Sequence, residues 1–220
     1  MQGLEKYEAL VACERSGRVR DALTKVGVKT ISCDLHPTRS PGPHYEGDVR
    51  DILELKHWKL LIAHPVCRYL ANSGAKHLYN RIDGVWAKEN GRNEERWELM
   101  KEGVEFFLLF ERADHIPMRA VENPIMHGYA SELIGRKADQ FVEPWWFGDP
   151  FKKATGFHLT GLPKLVRERE KSSYAPGEIK QEAWLMRQHP DREELRSQTY
   201  PNVARAIAEQ WGPLVRGGLK

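Results

Sequence analysis

Three cysteines in 220 residues, Cys13, Cys33 and Cys67, are too few and too scattered for a disulfide framework. None forms a CxxC pair or a Cys/His spacing of the kind that holds structural zinc, so no metal site is expected. So thiol-poor a chain fits a reducing cytosol. No apolar run approaches the ~18 residues of a membrane span, and no signal-peptide pattern opens the chain. A cytoplasmic protein with no membrane partner is therefore expected. There is no internal repeat, no low-complexity tract and no G-x-G-x-x-G loop. Charge is nearly balanced as well: 34 Lys and Arg against 31 Asp and Glu leave +3, which permits nucleic-acid binding without demanding it. What is present is a globular composition, 40% hydrophobic and 30% charged, expected to form a single domain over residues 1–220.

Two stretches carry the clearest pattern. Leu60-Leu-Ile-Ala63 is a short apolar run followed by His64 and Pro65, which reads as a buried strand of a parallel sheet. Cys67 lies just beyond it, where open α/β sheets keep their ligands. Met118-Arg-Ala-Val121 repeats the design and ends in Glu122, Asn123 and Pro124. A thiol and a carboxylate followed by an amide could then meet over one pocket. Read alone, a cysteine after an apolar run is more often a small buried hydrophobe than a nucleophile. Glu-Asn-Pro alone is a common turn.

The rest alternates strand and helix. Glu8 to Cys13 reads as a first strand, followed by a turn and a helix with Val19, Leu23 and Val26 on one side and Ser16 as N-cap. The helix N-terminus would offer free N–H groups to a cofactor, although Gly17 is also consistent with a plain turn. Lys29 to Cys33 is a second strand ending in Asp34, about 20 residues after the first strand's end, the spacing of a ribose-binding carboxylate. A cap on the His36-Pro37 turn is the other reading of Asp34. Asp48, in Gly47-Asp-Val, suits an adenine amine or a helix cap. Asn72 to Arg96 is polar and cationic, either a loop closing over the site and touching phosphates or a solvated one. Glu94 to Arg112 is a helix with Trp97, Met100, Val104, Phe107 and Leu108 at helical spacing, the crossover to the Met118 strand. Gln140–Phe147 and Thr155–Thr160 read as later strands. Lys152 and Lys153 between them suit phosphate or solvent. Pro163–Arg196 is polar, with a short helix around Glu182–Met186, and Tyr200–Trp211 is a helix opened by Pro201.

In this order the parts resemble the catalytic domain of the cytosine-C5 DNA methyltransferases, in particular their short phage and prophage members. Pro65-Val-Cys67 is similar to the family's Pro-Pro-Cys, and Val121-Glu-Asn-Pro124 to its Glu-Asn-Val. Asp34, Gly47-Asp-Val and the Pro201–Trp211 helix with Asn202-Val203 agree in order. The chain departs from the family at Cys13 and Arg15, which stand where it has Phe and the first Gly of Phe-x-Gly-x-Gly, and at His64 and Val66. No Gln-x-Arg-x-Arg segment is present; Lys152, Lys153 and Thr155 are its nearest substitutes. Residues 163–196 stand in place of a full target-recognition domain.

The resemblance implies an α/β, Rossmann-like S-adenosylmethionine-dependent methyltransferase fold with a mostly parallel central sheet. It implies transfer of a methyl group to C5 of cytosine in DNA, with short or relaxed sequence specificity. Cys67 would add to C6, Glu122 would assist at N3 and the amine, and Asn123 would accompany it. Cys67 would need to be more acidic than the free-thiol value of ~8.5, with Arg68 as a cationic neighbour. S-adenosyl-L-methionine would be held by Cys13, Glu14, Ser16 and Gly17, then Asp34, Leu35, Asp48 and Val49, and finally His64, Pro65, Asn202 and Val203. DNA would meet Arg68, Lys76, Arg81, Lys152, Lys153 and Thr155. Two rival readings remain: the same chemistry on a single strand or free nucleotide, and a binding protein on the same fold without turnover.

Overall fold

The computed structural model describes residues 3–55, 57–88, 91–181 and 197–217. Seven strands form the central sheet: β1 (Ala9–Ala12), β2 (Thr30–Asp34), β3 (His44–Glu46), β4 (Leu60–Ala63), β5 (Met118–Pro124), β6 (Gln140–Val142) and β7 (Thr155–Thr160). Their spatial order is β3-β2-β1-β4-β5-β7-β6. β1 to β5 run parallel, and β7 enters antiparallel between β5 and β6. This is a Rossmann-like methyltransferase fold, with a mostly parallel sheet whose order reverses beside β1.

β1 and β4 are buried at every residue, as continuous apolar strands covered on both faces must be. On one face, helices α1 (Arg18–Lys25) and a C-terminal helix (Pro201–Gly217) cover Val11, Ile62 and Ala120, with Trp211 fully buried among them. On the other face, α2 (Arg50–Leu53), α3 (Glu94–Glu111) and α4 (Gly128–Ile134) cover Leu10, Leu61 and Val121 around Trp58 and Phe107. Numbered in chain order, the C-terminal helix is α5. Each such large apolar side chain taken fully from water contributes about 1.5–3 kcal/mol before the entropy of ordering it. Asn93 caps α3, its side chain accepting the Arg96 N–H at 3.0 Å. None of the helices among the described residues is long and apolar enough to cross a membrane.

Three segments differ from the sequence expectation. The Gln140–Phe147 strand stops at Val142, because Pro144 has no N–H to continue a ladder and opens a 3-10 turn through Trp146. Residues 72–88 are more ordered than a loop: a 3-10 helix spans Asn72–Leu78, and a hairpin pairs Arg81–Ile82 with Val85–Trp86. Its turn residues, Asp83 and Gly84, have φ +48° and +81°, the left-handed pair an Asp-Gly turn supplies. The described part of 163–196 runs as a strap whose Lys180–Gln181 pairs with Phe151–Lys152. The short helix expected around Glu182–Met186 lies outside the described residues.

Candidate active site

The site is assembled from the carboxyl ends of β1, β4 and β5. After β1, Cys13 turns left-handed at φ +56°, and the buried Glu14 carboxylate swings under α1. It accepts the Val19 N–H at 2.6 Å and the Arg20 N–H at 3.2 Å. Ser16, the expected cap, accepts only from Arg18 at 3.3 Å. Gly17 enters the helix at φ +73°, where a side chain would strike the Arg20 guanidinium. Burial pushes the Glu14 carboxyl up, while the nearby His64 and the two N–H groups draw it down. The anion place at the α1 N-terminus is thus already filled by the chain's own carboxylate. A pyrophosphate has no cradle there, whereas a cofactor bearing a cationic group is compatible with it.

Beside β1, Asp34 and Asp48 close β2 and the segment after β3. Asp34 accepts the His36 N–H at 3.0 Å, and Asp48, one residue before the Val49 N-cap of α2, accepts the Arg50 N–H at 2.9 Å and pairs with its guanidinium at 2.8 Å. Both carboxylates thus make local turn bonds, and both act on the thiol of Cys13. Burial and these acids push Cys13 up strongly and Cys33 to about 12, so neither thiol ionises near neutrality. Leu35, next to Asp34, is 69% exposed, and Val49 is buried. Carboxylates for hydroxyls and amines, with a bare apolar side chain beside them, suit a nucleoside.

At the other corner, β4 and β5 run in register with Ala63 opposite Val121, which brings the next residues, His64 and Glu122, together. His64 Nδ1 and Glu122 Oε2 share a hydrogen bond of 3.2 Å, with side chains 8% and 20% exposed. His64, expected to meet cofactor, is therefore held by the carboxylate. Its Nε2 is buried with no partner among the described residues. A narrow cavity of ≈ 30 Å³ adjoins the pair, walled by Lys153, Thr155, Tyr200 and Val203. That is room for about one water.

Cys67 starts the turn after Pro65, its carbonyl accepting the Leu70 and Ala71 N–H groups at 3.0 and 2.9 Å. This turn is fastened to the one after β5: Asn72 N–H donates to Ile125 at 2.8 Å and His127 N–H to Leu70 at 3.0 Å. His127 accepts the Ala130 N–H on Nδ1, leaving its Nε2–H to donate to the Tyr69 carbonyl at 2.9 Å. Cys67 and Glu122 thus belong to two connected strand ends. Asn123 is buried on the opposite face from Glu122, and its amide has no partner among the described residues.

The remaining candidates divide. Arg68 and Arg81 line an open groove beside Cys67, with Lys76 at its rim. Lys152 is exposed on the strap-paired strand, away from that groove, and Lys153 holds the Gln198 carbonyl at 3.3 Å. Asn202 does not line the cavity; it anchors α5 to Asp149 through its N–H at 3.0 Å and amide at 2.9 Å. Sequence reasoning missed Arg20, a fully buried guanidinium. It holds Ser32 at 3.1 Å, Thr38 at 3.2 Å and the Ser40 carbonyl at 2.9 Å, fixing the loop between β2 and β3. No local pattern marks an arginine as buried. The hairpin was findable from Ile82-Asp-Gly-Val85.

No family model matches the chain, and no curated protein matches it in sequence. Among solved structures it is similar to a triple mutant of Spodoptera frugiperda DNMT2, at 10% identity and a TM-score of 0.33. The match covers 76% of this chain and 54% of that one, so the chain spans about half of that protein. The fold assignment rests on strand order and register.

Proposed function

We propose that this protein is an S-adenosylmethionine-dependent methyltransferase acting on C5 of cytosine in nucleic acid, DNA in the first instance. The observation that carries the reading is the joining of the β4 and β5 ends, with Cys67 on one and the His64-supported Glu122 on the other. The Glu14-filled helix end and the Asp34, Leu35 and Asp48 corner support a cationic nucleoside cofactor. When bound, S-adenosylmethionine supplies a methyl group on a sulfonium. In this mechanism the Cys67 thiolate forms a bond to C6, and the C5–C6 π electrons become available at C5. Glu122 hydrogen-bonds or protonates N3 as the ring gains charge, and His64 holds the carboxyl in place. Once C5 carries the methyl group, loss of its proton to water restores the double bond. The C–S bond breaks and the thiolate returns.

A single-stranded substrate is favoured over a duplex read by sequence, because residues 163–181 form a strap rather than a recognition domain. The test is a trap: DNA containing 5-fluorocytosine, single- and double-stranded, incubated with the protein and S-adenosylmethionine and analysed by denaturing mass spectrometry. An adduct on Cys67 is expected, since fluorine cannot leave as a proton does. Cofactor binding without an adduct on DNA would move the substrate to RNA or nucleotides. Absence of both would favour a binding protein on this fold.

A further inference from the structure

The groove beside Cys67 has a volume of about 520 Å³. That is within the range of sites that take a small ligand. Arg68, Arg81, Arg96, His77, Tyr79 and Trp86 line it with two asparagines, and no carboxylate is among the described lining residues. Two of its arginines are held in place. The Arg96 guanidinium stacks on Tyr69 at 4.4 Å and reaches the Arg68 carbonyl at 3.4 Å, while Arg81 Nε holds the Gly84 carbonyl at 2.7 Å. Trp86 has His77 against it at 5.0 Å and the Lys76 ammonium 5.8 Å from its ring centre. The local field is positive: after desolvation, the charges of Lys76 and Arg96 hold the His77 imidazole below its ordinary value. Guanidiniums, an indole and no acid among the described lining residues match a phosphodiester carrying an unstacked base. Arg68, which lines the groove, directly follows the proposed nucleophile in sequence.

We propose that this groove holds the nucleotide next to the reacting cytosine in a single strand, its phosphate against the arginines and its base against Trp86. The inference rests on the nucleic-acid reading above and names the part of the substrate that the reading leaves open. Stacking needs a base free of a duplex neighbour, so the groove selects single strands.

The test is fluorescence-anisotropy binding of a labelled 12-nucleotide single strand with one central cytosine, in deoxyribose and ribose forms. Abasic versions lack the base on the 5′ or the 3′ side of that cytosine. Trp86→Ala is expected to weaken binding about 10-fold or more. One of the two abasic strands is expected to lose the same factor with the wild type and nothing further with Trp86→Ala. Trp86→Phe keeps an aromatic face and should recover most of the affinity. Arg81→Gln should lower the log–log salt slope by about 0.7, as for one phosphate contact on a single strand. Melting curves show whether each variant is folded. Wild-type affinity in both Trp86→Ala and Arg81→Gln overturns the proposal. So does loss on Trp86→Ala that persists in full on both abasic strands, equal binding of a blunt duplex, or no binding of either sugar form. A Cys67 adduct with Trp86-independent binding would sink the groove and leave the methyltransferase reading standing; Trp86-dependent binding without an adduct would do the reverse.

Discussion

His64 and Glu122, 58 positions apart in sequence, are joined through Nδ1 and Oε2 at 3.2 Å because β4 and β5 are in parallel register. The other ring nitrogen, Nε2, is buried with no partner among the described residues. The pair is therefore asymmetric: one imidazole nitrogen orients the carboxyl, and the other is open to a water or a ligand atom.

Replacing His64 should separate positioning from packing. His64→Asn keeps an N–H near the Nδ1 place, whereas His64→Phe leaves the carboxyl without its donor. The phenylalanine variant is expected to lose methyl transfer by about 10- to 100-fold, in proportion to a charge-assisted hydrogen bond. The asparagine variant should recover part of that loss, and the pH–rate profile should shift between the two. Equal rates in both variants would leave the ring as filler.

Cys67→Ser should abolish the 5-fluorocytosine adduct and methyl transfer while leaving cofactor affinity within about twofold of wild type, because in the proposed mechanism the thiol acts on the base. Cys13→Ser and Cys33→Ser should keep the adduct, since neither thiol ionises near neutrality. An adduct that survives Cys67→Ser would end the mechanism.

Asp34→Ala should weaken S-adenosylmethionine binding about 10-fold in calorimetry, the scale of one hydrogen bond to a charged group. The His36 turn bond goes with it, so a melting curve belongs beside the titration. Unchanged affinity would confine Asp34 to its turn.

Away from the site, buried His158 packs edge-on against Phe107 at 4.9 Å and is lowered from 6.5 to about 4, by burial first and then by Arg136. A histidine held neutral in the fold binds fewer protons than in the unfolded chain. Its contribution is complete above pH ~6.5 and is lost as pH falls toward 4. That window is worth roughly 3 kcal/mol at 1.36 per unit. Urea unfolding between pH 7 and 4 should show a loss of this order in the wild type relative to His158→Leu. Parallel profiles would place the acid sensitivity elsewhere.

The sheet was largely legible because β1 and Leu60–Ala63 are uninterrupted apolar runs, and Met118–Val121, broken only by Arg119, likewise stops at polar residues followed by proline. The candidate thiol and carboxylate came with those strand ends. Their partners did not. Register between strands depends on how α3 crosses over, so nothing near His64 in sequence announces Glu122. The burial of Arg20 is equally nonlocal, since its partners Ser32, Thr38 and Ser40 come from the next strand and loop. The strands of the 81–86 hairpin are only two residues each, too short for alternation to register, so the Asp83-Gly84 turn was the one local signal for it.

The backbone bonds that sew the turn after Pro65 to the turn after Pro124 have a mechanical consequence. Thiol and carboxyl ride on a single plate. A displacement of either strand end is passed to the other through these bonds. On the proposed reading, the half of the site that would grip the base stands assembled before base or cofactor arrives.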